Sequence, residues 1–233
     1  MADRVPLYLL PGLLCDDVVW TAQVEALTAQ GVECHVVDYK ACDTITAMAR
    51  TVLDQAPGRF AVAGHSMGGR VALEIMRLAA SRVDRVALLD TGVHPRQPNE
   101  AQKRHALLAL ARAEGMGALA AIWLPPMVHP DRLTDQVLMT LLTQMVGRKT
   151  PEIFAAQVNA LLERPDGVPV LGAIKCPALV GVGRYDAWSP PAQHEEIAAA
   201  IGTDLVIFED SGHMVTVEVP EAVTAALARW LEL

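Results

Sequence analysis

Positive charge is in short supply in this chain. Nineteen Lys and Arg residues face 27 Asp and Glu, a formal net charge of −8. Phosphate binding is driven by Lys and Arg, so nucleic acid and anionic membrane surfaces are poor partners. A local basic pocket for a carboxylate stays open. Cysteine is also sparse. Cys15, Cys34, Cys42 and Cys176 form no C-x-x-C pair and have no paired histidine spacing beside them. No zinc site or redox motif is expected. They read as free thiols of a reducing compartment, Cys34 and Cys176 as small core or edge residues. No run approaches the ~18 apolar residues of a membrane span. Met-Ala-Asp-Arg leads into an apolar run, Val5–Leu10, that Pro11-Gly12 halts, too short for a signal peptide. The expectation is a cytoplasmic protein. A Gly/Ser-rich linker and internal repeats are also lacking.

What is present suits one folded unit. The chain has 233 residues, 52% of them hydrophobic and 20% charged, enough to bury a sizeable core. Short apolar runs alternate with amphipathic stretches, the signature of βαβ units and a mostly parallel sheet. Six strands are expected: Val5–Leu10, Val32–Val37, Phe60–Ala63, Val83–Leu89, Ala178–Val182 and Leu205–Phe208. Several are almost continuously apolar, as in strands buried on both faces. Asp16 or Asp17 can cap a helix carrying Trp20, Val24 and Leu27, with Gly31 as its stop. Thr44 can cap the next, with Ile45, Met48 and Val52 on one face. Ser189-Pro190 reads as N-cap and first turn of another that Gly202 ends. Pro220 opens the last, with a stripe of Val223, Leu227, Trp230 and Leu231.

The stretch from His94 to Leu171 breaks the alternation. It is rich in Leu, Ala and Met, and Asn99, Asp131 and Thr150-Pro151 read as helix starts. The expected organisation is a core of residues 1–93 and 172–233 with a helical cap at 94–171, one domain overall. A small all-helical second domain is the alternative.

The strongest local signal is Gly64-His65-Ser66-Met67-Gly68-Gly69, a G-x-S-x-G element after the strand Phe60–Ala63. The helical pattern Val71, Ala72, Ile75, Met76, Ala79 follows it. Strand, sharp turn and helix are the context in which such a serine becomes a nucleophile. The tight turn leaves no room for side chains two residues either side. The helix N-terminus then offers free N–H groups to developing negative charge.

A serine hydroxyl needs a base. His213, in Asp210-Ser211-Gly212-His213 after the last strand, is the best placed of seven histidines, since sites on such sheets collect at the carboxyl edge. His65 reads as structural support, and His94 as a candidate pocket residue. His35, His105, His129 and His194 read as strand-edge or helix-surface residues. The base needs an acid to fix its tautomer. Asp186 follows Ala178–Val182 and lies between Ser66 and His213 in the chain, matching the Ser…Asp…His order of this motif's context. Asp90, after Val83–Leu89, is the competitor. Asp38 reads as a loop or edge residue, and Asp210 as too close to His213. The oxyanion donors are expected at the Met67 N–H and, in Leu10-Pro11-Gly12-Leu13, at the Leu13 N–H.

Taken in order, Pro11-Gly12-Leu13, Gly64–Gly69, Asp186 and Gly212-His213 resemble the α/β-hydrolase superfamily, its small bacterial carboxylesterase-like members in particular. The resemblance spans nearly the whole chain. It departs at the oxyanion loop, where many relatives carry His-Gly and this chain has Pro11-Gly12. It also lacks two early strands of larger members, implying about six parallel strands flanked by helices, with the helical cap between the fourth and fifth. The resemblance implies hydrolysis of an ester or thioester through an acyl-enzyme, with no metal and no organic cofactor. Lactone or C–C bond hydrolysis and a cofactor-free perhydrolase reaction use the same triad and stay open. So does a small-molecule sensor with slow or single turnover. A haloalkane dehalogenase is disfavoured, because that chemistry has an aspartate where Ser66 stands.

The expected partner is a small-molecule substrate with an apolar acyl or alcohol part. Leu107, Leu110, Leu119, Trp123, Leu124, Met127, Leu138, Leu142 and Met145 of the cap divide between helix packing and an apolar lid. Arg70, Arg96 and Arg184 could meet a carboxylate, with a solvated surface role the plainer reading. Nothing in the sequence sets the oligomeric state.

Overall fold

The computed structural model describes residues 5–233, so residues 1–4 of the expected core lie outside the described residues. Six strands form one sheet: β1 Leu7–Leu10, β2 Cys34–Val36, β3 Phe60–His65, β4 Val83–Leu89, β5 Ala178–Gly183 and β6 Leu205–Phe208. Their order is β2-β1-β3-β4-β5-β6 and every pairing is parallel. All carboxyl ends therefore emerge at one edge. β1 and β3 are buried along their whole length, the reason their sequences are continuously apolar rather than alternating. β2 is shorter than its apolar run because it is an edge strand, paired with β1 alone. β3 runs two residues further than the apolar run indicated, through Gly64 and His65, which pair with Leu88 and Leu89.

Helices α1 Thr21–Thr28, α2 Ile45–Gln55 and α3 Met67–Ala79 connect the first four strands. Asp16 caps a 3₁₀ turn, Asp17–Trp20, that leads into α1. The Thr44 side chain accepts the Ala47 N–H at the start of α2, whose Ile45, Met48 and Val52 are buried. Between β4 and β5 lie α4 Glu100–Trp123, α5 Gln136–Gly147, α6 Pro151–Leu162 and α7 Val168–Leu171, with no strand among them. After β5 come α8 Pro191–Ile201, α9 Val215–Glu218 and α10 Pro220–Trp230. α1 packs with α10 on one face of the sheet, and α2, α3 and α8 cover the other. α4 packs on α5 and α6.

Three helix starts differ from the sequence pattern. Asp131 sits inside a 3₁₀ turn, Pro130–Thr134, and Asp135 caps α5 instead, accepting the Val137 and Leu138 N–H groups. Asn99 precedes α4 but makes no capping bond. α8 begins at Pro191 rather than after a Ser189 cap, because Asp186 takes up the Ser189 N–H and Pro190 is extended. Together α4 and the turn after it, Glu100–Met127, are long and apolar enough to cross a membrane by length and composition. Here the helix is broken at Gly115 (φ 88°) and buries Leu108, Ala111, Met116, Leu119 and Trp123.

Candidate active site

The turn between β3 and α3 brings Ser66 to the carboxyl edge with φ 55° and ψ −115°. A non-glycine residue held there stores on the order of 1–3 kcal/mol of strain. The surroundings hold it in place: the Ser66 N–H donates to the Leu89 carbonyl at 2.9 Å, and the Thr91 hydroxyl donates to the Ser66 carbonyl at 2.7 Å. The flanking glycines are required by close approach. A Cβ at Gly68 would overlap the Leu10 carbonyl, and one at Gly64 the Gly68 carbonyl.

β6 and β5 deliver the other two residues. His213 Nε2 lies 2.8 Å from Ser66 Oγ, and its Nδ1 lies 2.8 Å from Asp186 Oδ2. His213 and Asp186 are buried, and Ser66 Oγ opens on a cavity. The other Asp186 oxygen, Oδ1, accepts the Trp188 and Ser189 N–H groups at 2.8 and 2.9 Å. Burial alone would raise the Asp186 carboxyl. The His213 ring and these two donors outweigh it and hold the group below its ordinary value. An oxygen nucleophile bonded to an imidazole whose far nitrogen is held by a carboxylate is an arrangement that activates hydroxyls.

Asp90, the competitor, is also buried and directly follows β4, with φ 47°. Its Oδ1 accepts the Gly183 N–H at 2.9 Å, while Oδ2 has no hydrogen-bond partner among the described residues. Burial, then the neighbouring Asp186 carboxylate, pushes its carboxyl well above the ordinary range. Asp90 thus holds its proton more tightly than an ordinary carboxyl, and Asp186 is the carboxyl group that meets the ring.

Leu13 and Met67 both line the cavity next to Ser66. Their N–H groups have no acceptor among the described residues, whereas the next one, Leu14 N–H, donates to Gln157 Oε1 at 2.8 Å. Leu14 has φ 60°, so Gln157, reaching from α6, props a strained loop across the sheet edge. The His213 loop is held as firmly. Its N–H donates to the Met127 carbonyl at 2.7 Å, and the buried Glu218 carboxylate accepts the N–H groups of Gly212, Met214 and His129. His65 Nε2 donates to the His213 carbonyl at 2.7 Å. Burial and the adjacent His213 lower His65 to about 4.

One histidine reading needs correcting. His194 is fully buried in α8, not on a helix surface, and its Nε2 accepts the Thr91 N–H at 2.9 Å. Burial lowers it to about 4. It supports the residue that holds the Ser66 carbonyl. Gln157, Glu218, Thr91 and His194 carried no motif that sequence reasoning could have used.

The cavity over Ser66 has a volume of about 620 Å³. Of the apolar residues singled out between β4 and β5, Leu107, Trp123 and Met127 line it. Leu119, Leu124, Leu138, Leu142 and Met145 are buried in helix packing. His94 and Arg70 line the cavity. Arg96 and Arg184 instead form exposed pairs with Glu163 and Glu209.

This sheet, with a buried acid–imidazole pair against a serine at its carboxyl edge, defines a hydrolase-type α/β protein. Residues 7–226 match the model of the alpha/beta hydrolase family, and the chain belongs to that family. It is similar to a thermophilic esterase from Thermogutta terrifontis, solved with malate bound, at 30% identity and TM-score 0.88, over 98% of this chain and 89% of that one. It is similar to the enol-lactonase of Burkholderia xenovorans LB400 at 28% identity and TM-score 0.87, over 99% and 93%. A pimeloyl-[acyl-carrier protein] methyl ester esterase of Nitrosomonas europaea matches at 33% identity over 36% of each chain. Matches to curated relatives span 36% and 45% of those proteins' own length.

Proposed function

We propose that this protein is a serine hydrolase that cleaves a small carboxylic ester or thioester through an acyl-enzyme on Ser66. The observation that carries the reading is the continuous chain Ser66 Oγ–His213–Asp186, with both contacts at 2.8 Å, beside two free N–H groups. His213 Nε2 takes the Ser66 proton as Oγ attacks the carbonyl carbon. The Leu13 and Met67 N–H groups receive the oxyanion. His213 then returns the proton to the leaving alkoxide or thiolate, and the acyl group stays on Ser66. In the second half His213 deprotonates water, which attacks the acyl carbon, and Ser66 leaves with its proton restored. Asp186 holds the Nδ1–H tautomer and stabilises the imidazolium.

The helices of residues 94–171 act as a cap on the core. Leu107, Trp123, Met127 and Phe154 on the cavity wall support a substrate with an apolar part. The similarity to an enol-lactonase favours one second reading. In lactone hydrolysis the same steps apply, with the leaving alkoxide still tethered to the acyl group.

The test is release of nitrophenol from a chain-length series of nitrophenyl esters. Wild type should turn over repeatedly, and Ser66→Ala and His213→Ala should each lose several orders of magnitude. A single stoichiometric burst would shift the reading to a sensor, and equal rates in all three proteins would remove Ser66 and His213 from the mechanism.

A further inference from the structure

We infer that the natural substrate is an ester or lactone carrying a carboxylate in its acid or alcohol part, and that Arg70 receives it. The inference rests on the hydrolase reading above and adds the substrate's charge. The chain as a whole is at −8, yet the cavity over Ser66 is lined by Arg70, Lys103, Arg104 and Arg164 against two carboxyl groups, Glu100 and Asp90. Asp90 is the weaker acid of the two, its carboxyl pushed well above the ordinary range by burial. Glu100 is committed elsewhere: Arg164 grips both of its oxygens at 2.8 Å, and Arg104 Nε reaches one at 2.9 Å. One carboxylate thus grips two guanidiniums directly, and its charge reaches the third only from beyond ion-pair distance.

That third guanidinium is Arg70. Its Nη1 donates to the His94 carbonyl at 3.0 Å, and it has no carboxylate within ion-pair distance among the described residues. It lies largely out of water, and burial followed by the nearby Arg164 lowers it to about 9. A desolvated cation with no carboxylate in contact is costly, and an anionic ligand is what offsets that cost. Gly92 packs against the guanidinium: a Cβ there would stand 2.8 Å from Arg70 Nη2. The position also fits. Arg70 is four residues beyond Ser66 on α3, one helical turn or about 6 Å along the axis, and both open on the same cavity. A ligand whose carbonyl meets Ser66 can place a carboxylate a few carbons away on the free face of the guanidinium, where bidentate hydrogen bonding suits it.

The experiment compares monomethyl glutarate (anion in the acid part) and acetoxyacetate (anion in the alcohol part) with methyl pentanoate, by pH-stat. The three are run on wild type, Arg70→Met and Arg70→Lys, with calorimetric titration of glutarate into each protein. Wild type should favour one of the anions at least tenfold in kcat/KM. Arg70→Met should erase that preference through KM and weaken glutarate binding at least tenfold, and Arg70→Lys should restore part of both. Turnover of all three esters without preference would overturn the anion site and leave the hydrolase reading standing. Glutarate binding that depends on Arg70, with no turnover of any ester, would retain the anion site and overturn the hydrolase reading. Neither binding nor turnover would overturn both.

Discussion

Replacing Asp186 by asparagine changes one atom, and the structure dictates how the amide must sit. Oδ1 accepts two backbone N–H groups, from Trp188 and Ser189, at 2.8 and 2.9 Å. The asparagine must place its carbonyl oxygen there, which turns its NH₂ toward His213 Nδ1, now 2.8 Å from Oδ2. Two donors cannot face each other, so His213 shifts its proton to Nε2 and confronts the Ser66 hydroxyl as a donor. It can no longer take the serine proton. Loss of the correct tautomer in such triads lowers kcat about ten-thousand-fold, about 5 kcal/mol of barrier. The same change at Asp90 should do little. Its Oδ1 keeps the Gly183 N–H as a carbonyl, and the amide resembles the protonated form that burial favours. The assay is kcat on a nitrophenyl ester at pH 8, with circular dichroism confirming that each variant is folded. Asp186→Asn should fall three to four orders of magnitude, and Asp90→Asn should stay within tenfold of wild type. The reverse pattern would refute the argument and make Asp90 the acid.

Acid should destabilise the fold through His65 and His194. Each is buried and lowered from 6.5 to about 4, so the unfolded chain binds the extra protons. Their stabilising contribution is complete above pH 6.5 and is lost as pH falls toward 4, about 3 kcal/mol each. Asp90, raised by burial, works the other way, so Asp90→Asn should steepen the loss. Urea titrations at pH 7, 5.5 and 4.5 check both, and a flat profile would contradict the buried neutral histidines. Gln157→Leu should lower kcat ten- to a hundredfold with little change in KM, since it releases the Leu14 N–H and loosens the loop bearing Leu13, the proposed oxyanion donor. An unchanged kcat would show that the loop holds itself.

The sheet was legible because buried parallel strands are apolar runs, and two runs, Val83–Leu89 and Leu205–Phe208, match the strands residue for residue. The stations of Ser66, Asp186 and His213 were legible for a related reason: each follows a strand, and parallel strands send all their carboxyl ends to one edge. The supports were not. Gln157 meets Leu14 across 143 residues, and His129 meets Glu218 across 89. Such contacts exist only after the helices between β4 and β5 fold back over the sheet. In sequence His194 reads as a surface helix residue because a single histidine has no period, and its burial depends on the turn after β4. Asp131 lost the cap to Asp135 because Pro130 starts a separate tight turn there. The charge of the cavity was equally hidden, since Arg70, Arg104 and Arg164 are far apart in sequence and Glu100 is shared only in three dimensions.

The central claim is that a covalent acyl group forms on Ser66. The most direct measurement is intact-mass and peptide-mass analysis after treatment with a fluorophosphonate ester, for wild type and His213→Ala. The account predicts one adduct per chain on the peptide containing Ser66, formed at least a hundredfold more slowly without His213. An adduct on another residue, or equal labelling of both proteins, would contradict it.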